Sequence, residues 1–151
     1  MQNLYNIEPS EDGLTYYFTT KFNIRYQLAL TVYPLGDVNA FSLSLYPDSE
    51  PTQIDYRIKN TVIKFVADIL LKDTNVIIYV CDTEDNREDK RHIAFEYWYN
   101  KASKVYTYIS KYNYCIVSEN GYKLNSSILY NSNNFLESYI IQEFKKALEI
   151  S

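Results

Sequence analysis

Glycine, histidine and cysteine are scarce in this chain. Its 151 residues include three glycines, one histidine and two cysteines. Gly13, Gly36 and Gly121 stand far apart, so the glycine-rich loops that cradle phosphates and dinucleotides are absent. No Gly-x-Ser-x-Gly elbow occurs. One histidine, His92, cannot build a multi-histidine metal centre, and two distant cysteines do not make a structural zinc site. The spacing Asp82-x-Glu84-x-Asn86 faintly suggests a calcium loop, but Arg87 stands where glycine is required and Ile93 where an acid is required. A Cys81–His92 nucleophile pair is disfavoured, because Cys81 ends an apolar run with nothing nearby to lower its pKa. Cofactors and metals are therefore expected to be none. Cys81 and Cys115 both sit in strand-like text and are expected to be small buried hydrophobes.

Long apolar runs are missing as well. The longest is Val76 to Cys81, far short of the roughly 20 residues that span a bilayer. The N-terminus, Met-Gln-Asn-Leu-Tyr-Asn-Ile-Glu-Pro, has no basic start and no apolar core, so no signal peptide is expected and the expected location is cytoplasmic. Long runs of like charge are absent, and the net charge is −4. That balance argues against a nucleic-acid partner, which calls for a basic face. What the chain has in excess is tyrosine, 17 residues. Tyrosine offers rigid area with a polar tip and suits a recognition surface. AT-rich coding would also enrich Tyr, Asn, Ile and Lys together.

The order of elements follows from periodicity. Thr15–Thr20 is rich in β-formers. Residues 24–32 alternate, with Ile24, Tyr26, Leu28, Leu30 and Val32 on one face, and Phe41, Leu43 and Leu45 alternate with Ser42, Ser44 and Tyr46. Such text predicts half-buried strands in an antiparallel meander. Ile54, Ile58, Val62, Phe65 and Ile69 form one helical stripe over 54–71. Val76–Cys81 reads as a central strand covered on both faces. A second helix is expected over 86–102, then strands at 105–110 and 114–118. A turn at Glu119-Asn120-Gly121 leads to a further strand over 122–130. A last helix over 134–149 carries Leu136, Ile140, Phe144 and Leu148, with Asn134 and Glu137 as a capping pair. The class is α+β: one domain, 1–151, with a single mixed, mainly antiparallel sheet in the order β-β-β-α-β-α-β-β-(β)-α and helices packed on it.

The junction after Cys81 carries the densest charge. Asp85 and Glu88 make a capping box with an acidic first turn. Glu88, His92 and Glu96 follow at spacings that give ordinary surface pairs. Arg87, Arg91, Phe95, Trp98 and Ala102 share one helical stripe. Two arginines on a core-facing stripe require anionic partners, because an unpaired buried charge is costly. Asp82 and Asp85 are the nearest. Asp82, Asp85, Arg87, Arg91 and Trp98 are thus the candidate ligand-binding residues: a structural Arg–Asp cluster, or a crevice at the carboxyl end of the central strand suited to carboxylate or phosphate. No catalytic residue is assigned.

The pattern V-I-I-Y-V-C-D-x-x-D-x-R-x-x-x-R-x-x-x-F-x-x-W-Y, Val76 to Tyr99, resembles the core of a family of small bacterial proteins that form a domain of unknown function. Asn86 stands where that family's pattern has glycine. The resemblance implies a single small domain and no site residues. The element order, with the aromatic helix piece Ala94–Lys101, is also similar to the acyl-CoA N-acyltransferase fold. That fold binds the CoA pyrophosphate on a glycine-containing loop before the first of these helices. Here the loop Pro47–Gln53 has no glycine and two acids, Asp48 and Glu50, so backbone amides are harder to present and the local charge repels phosphate.

Three functions stay open. The first is a non-catalytic module that binds a protein, such as an immunity protein in bacterial conflict. The second is an acyltransferase-like enzyme with a degenerate donor loop, which requires a V-shaped opening beside the central strand. The third is a sensor of small anions built on Arg87 and Arg91. Neither nucleic acid nor membrane is an expected partner, and the oligomeric state is open.

Overall fold

The computed structural model describes residues 3–81, 88–117, 119–121, 123–134 and 136–150, with side-chain surroundings described outside positions 80–81, 88–95, 123–124 and 150. Four strands come first, β1 (Glu8–Pro9), β2 (Thr15–Thr19), β3 (Arg25–Tyr33) and β4 (Asn39–Pro47). Then follow α1 (Tyr56–Leu71), β5 (Asn75–Cys81), α2 (Glu88–Val105), β6 (Ile109–Val117), β7 (Lys123–Asn131) and α3 (Glu137–Ile150). The class is α+β, with one open sheet of seven strands in the order β1-β2-β3-β4-β5-β7-β6. Neighbours are antiparallel except β4 and β5, which run parallel. That exception has a cause: α1 carries the chain back to the start of the next strand, as a crossover must. No helix among the described residues is long and apolar enough to cross a membrane.

Two apolar clusters lie on opposite faces of the sheet. Under α1 and α2 lie Phe18, Tyr26, Leu28, Leu30, Ile77 and Leu129, closed by Val62, Phe65 and Leu70 of α1. On the other face α3 lays Ile140, Phe144 and Leu148 on Val76, Ile78, Ile128 and Tyr130. The central strand β5 contributes to both clusters, as its continuous apolar run requires. Two side chains, the buried Asn131 and the half-buried Tyr108, tie the C-terminal half of α1 to the region around β6 and β7. Asn131 Nδ2 donates to Leu70 O at 2.9 Å, and Tyr108 Oη donates to Ala67 O at 2.7 Å.

Several expectations shift in detail. Asp55, with extended backbone, caps α1 and accepts from Arg57 N, so Ile54 falls outside the helix and is 79% exposed. Leu136 is likewise 53% exposed ahead of α3; Asn134 Oδ1 accepts from its amide at 2.9 Å. Ile54 lies one step before the Asp55 cap, where the chain turns away from the helix face, and Leu136 stands between Asn134 and the first residue of α3. The strands expected at 105–110 and 114–118 are one strand, β6, because α2 continues to Val105. The strand expected over 122–130 is β7, Lys123–Asn131, the full partner of β6. Cys115 is exposed rather than buried, since it lies on the half-open side of an edge strand.

Candidate functional site

Of the five residues singled out at the charged junction, Asp82, Asp85 and Arg87 lie outside the described residues, as does the side chain of Arg91. Trp98 is described. It packs against the cluster beneath α1 and α2 and lines an apolar cavity of about 60 Å³ with Val62, Val66, Tyr99, Ala102 and Ile109. A cavity so small and lined without polar groups fits packing better than ligand capture.

The end of the sheet to which the junction leads has a distinct geometry. The parallel ladder between β4 and β5 runs from Asn39↔Asn75 to Ser42↔Ile78 and stops. Beyond it, residues 43–47 of β4 pair with β3, while residues 79–81 of β5 pair with β7. The two strands therefore continue in separate company at their carboxyl ends.

The start of α1 follows β4 at this end, and it is covered. Tyr5 N donates to Thr61 Oγ1 at 2.9 Å, and Thr61 Oγ1 donates to Arg57 O at 2.6 Å. Tyr5 Oη donates to the Asp55 carboxylate. Arg57 Nη2 donates to Leu4 O at 3.1 Å, and its guanidinium lies 3.9 Å from the centre of the Tyr5 ring. Arg57 Nε is buried and has no hydrogen-bond partner among the described residues. Burial, then the Asp55 carboxylate, holds the Tyr5 phenol above its ordinary pKa. The cap carboxylate accepts from Arg57 N, and Ile58 N donates to Asp55 O at 3.1 Å. Amides that would otherwise face an anion are therefore engaged by the chain itself.

A second cluster lies on the outer surface where α1 meets α2. Tyr56 is 68% exposed and Tyr97 is 53% exposed. Lys59 Nζ sits 5.5 Å from the Tyr56 ring centre and 5.3 Å from that of Tyr97, while Lys101 Nζ sits 4.9 Å from Tyr97. The two amines perturb each other. Partial burial, then the neighbouring Lys101, brings Lys59 below the ordinary lysine range. The Tyr97 hydroxyl, then Lys59, raises Lys101, and Lys101 in turn lowers Tyr97. The ion pairs among the described residues lie elsewhere, at Lys64–Asp68 and Lys111–Glu96.

Glu96 belongs to a third group. Its carboxylate accepts from Lys111 Nζ and, at 3.2 Å, from Asn113 Nδ2, while Ser127 Oγ donates to Asn113 Oδ1 at 2.5 Å. The sequence places Glu96 in a surface pair with His92, whose side chain lies outside the described residues; in the fold Glu96 joins α2 to β6, and Asn113 carries the link on to β7. The sequence shows the Tyr56/Lys59 and Tyr97/Lys101 pairs at helical spacing, but neither the meeting of those two pairs nor this bridge is legible in it, because each joins residues far apart in the chain.

With this geometry in view, the comparisons with known proteins are sparse. Residues 54–146 match a family of unknown function, DUF6169. That match spans more than half of the chain, so the protein belongs to this family. Neither a curated protein nor a solved structure matches it.

Proposed function

We propose that the chain is a non-catalytic module that binds an acidic protein segment through Tyr56, Lys59, Tyr97 and Lys101. The observation that carries this is the patch itself. On a chain of net charge −4, two mutually perturbed amines and two exposed phenol rings converge, and no carboxylate among the described residues pairs with either lysine. Partner carboxylates would pair with the two amines, and tyrosine rings supply contact area at low entropic cost. The test is the immobilised chain against native lysate, beside Lys59→Glu/Lys101→Glu and a Lys64→Glu control. A species held by wild type and the control, released by salt and lost from the double variant is expected. Equal retention by the double variant, or no specific retention at any salt, overturns the proposal.

The separation of β4 from β5 beyond Ser42 and Ile78 favours a second function, an acyltransferase-like enzyme with an altered donor site. A gap between parallel strand ends is where an acyl-thioester arm could enter. Against it stand the Asp55 cap and the Tyr5–Arg57 cover, which occupy the helix start a pyrophosphate would need. Calorimetric titration with acetyl-CoA decides: heat of binding with a thermal shift supports the enzyme, and neither removes it.

A further inference from the structure

The two edges of the sheet are finished differently. The β1 edge is two residues long and ends in Pro9, which has no N–H to offer. The β6 edge is nine residues long and contains no proline. Lysines commonly guard such edges. Lys111 does not serve that purpose, because its ammonium is turned onto Glu96 and lies 4.4 Å from the Tyr99 ring centre, leaving the side chain 10% exposed.

Hydrogen bonding shows which backbone groups the edge presents. Ser132 N donates to Tyr108 O, and Ser126 Oγ donates to Tyr114 O, so the even-numbered residues of β6 turn their polar groups toward β7. In an antiparallel ladder the alternate residues then point the other way. Lys111, Asn113, Cys115 and Val117 present their N–H and C=O groups outward, whereas Ile109 N donates to Tyr106 O at 3.1 Å. Ile109 O accepts from Tyr99 Oη at 3.4 Å; among the described residues, the groups of 111, 113, 115 and 117 have no other strand beside them in the sheet.

We propose that β6 pairs antiparallel with β6 of a second copy of this chain, about a two-fold axis at Asn113. This register sets outward-pointing residues against each other, Asn113 on Asn113 and Lys111 on Cys115, while Val117 faces Ile109, whose amide and carbonyl are already engaged. It also sets Tyr112 against Tyr114, an aromatic cross-strand pair. The helix above the edge is self-complementary in charge. Lys145 of α3 lies 5.3 Å from the Tyr112 ring centre, and Glu149 accepts from Tyr114 Oη at 2.7 Å. Turning Tyr114 of one copy onto Tyr112 of the other brings Glu149 of one toward Lys145 of the other. The two sheets become one, and an otherwise unpaired edge is closed.

The experiment combines sedimentation with crosslinking of the full chain. Wild type is expected to approach twice the chain mass as concentration rises. Cys115→Pro, which removes an outward amide and spares the bonds to β7, is expected to stay monomeric with unchanged circular dichroism. Asn113→Cys in a Cys115→Ser background should form a disulfide dimer with diamide, since Cα atoms of such a pair lie about 5.5 Å apart, within disulfide reach. Cys115→Ser alone should not. Cys115 of the two copies would be about 13 Å apart in this register, so wild type should not crosslink either. A wild type monomeric at every concentration overturns the proposal. So does a dimer that fails to crosslink through position 113, and so does equal crosslinking in the Cys115→Ser control. If Cys115→Pro does not fold, the crosslink decides alone.

Discussion

The meander half of the sheet and the half around β5 are covered differently. On β3, Tyr26, Leu28 and Leu30 are buried beneath α1, while Gln27 and Ala29 are half-buried and Thr31 is exposed. On β5, Ile77 is buried on one face and Val76 and Ile78 on the other. One half has two layers and the other three. A two-layer half writes its burial into the chain as alternation; a three-layer half writes it as an unbroken apolar run. The same division separates the polar features. The Tyr5–Asp55–Arg57 cover lies beside the meander, whereas the Glu96–Lys111–Asn113 bridge and the free edge belong to the second half.

Removing the third layer gives the largest expected effect. Phe144 is fully buried between α3 and the sheet, and Phe144→Ala should cost about 3–5 kcal/mol in denaturant unfolding. A loss below about 1 kcal/mol would make α3 an appendage rather than a layer. Next, Asn131→Ala leaves Leu70 O without its buried donor and should cost about 1–3 kcal/mol. An effect within error would mean that water replaces the amide. On the meander side, Tyr5→Phe removes the donor to Asp55 and the acceptor of Lys21 N. It should cost about 1–2 kcal/mol, with amide exchange quickening in the first turn of α1 before elsewhere.

The smallest effect is a dependence on pH. The exposed Asp12 carboxylate accepts from Ser10 Oγ, Leu14 N, Thr15 N and Thr15 Oγ1, which holds it well below the usual carboxylate range. Its folded pKa lies below the unfolded one. Its contribution is therefore present above the ordinary value of 3.8 and fades as pH falls below it. Asp12→Asn should flatten the fall of melting temperature on acidification in that window. An unchanged slope would show that the turn between β1 and β2 adds nothing to acid sensitivity.

Much of the fold was legible. The helix stripes Val62–Phe65 and Ile140–Phe144–Leu148 bury as their spacing implies, and Asn134, expected to pair with Glu137, accepts from the amide of Leu136 just before α3. The errors cluster at ends and edges. Ile54 and Leu136 satisfy the helical period but stand just ahead of the helices, Ile54 before the Asp55 cap and Leu136 between Asn134 and α3. Cys115 sits in strand-like text, yet its neighbour on one side is solvent. The candidate site was less legible. Trp98 was rightly placed toward the sheet, but the meeting of Tyr56 and Lys59 with Tyr97 and Lys101 carried no signal, because surface lysines and tyrosines look alike until a tertiary contact collects them.

The sequence by itself determined the element types, the parallel pair forced by a helical crossover, the buried central strand, and the lack of a glycine-rich loop motif and of a second histidine. These follow from local periodicity and from residue types that chemistry cannot do without. Only the tertiary structure decided that β7 slips between β5 and β6, that β4 and β5 part after Ser42 and Ile78, and that Tyr5 is laid over a helix start 50 residues away. Each joins backbone or side-chain groups that many folds could pair equally well in isolation. The choice among them belongs to the whole chain, which must bury two faces of one sheet and satisfy its buried polar groups together.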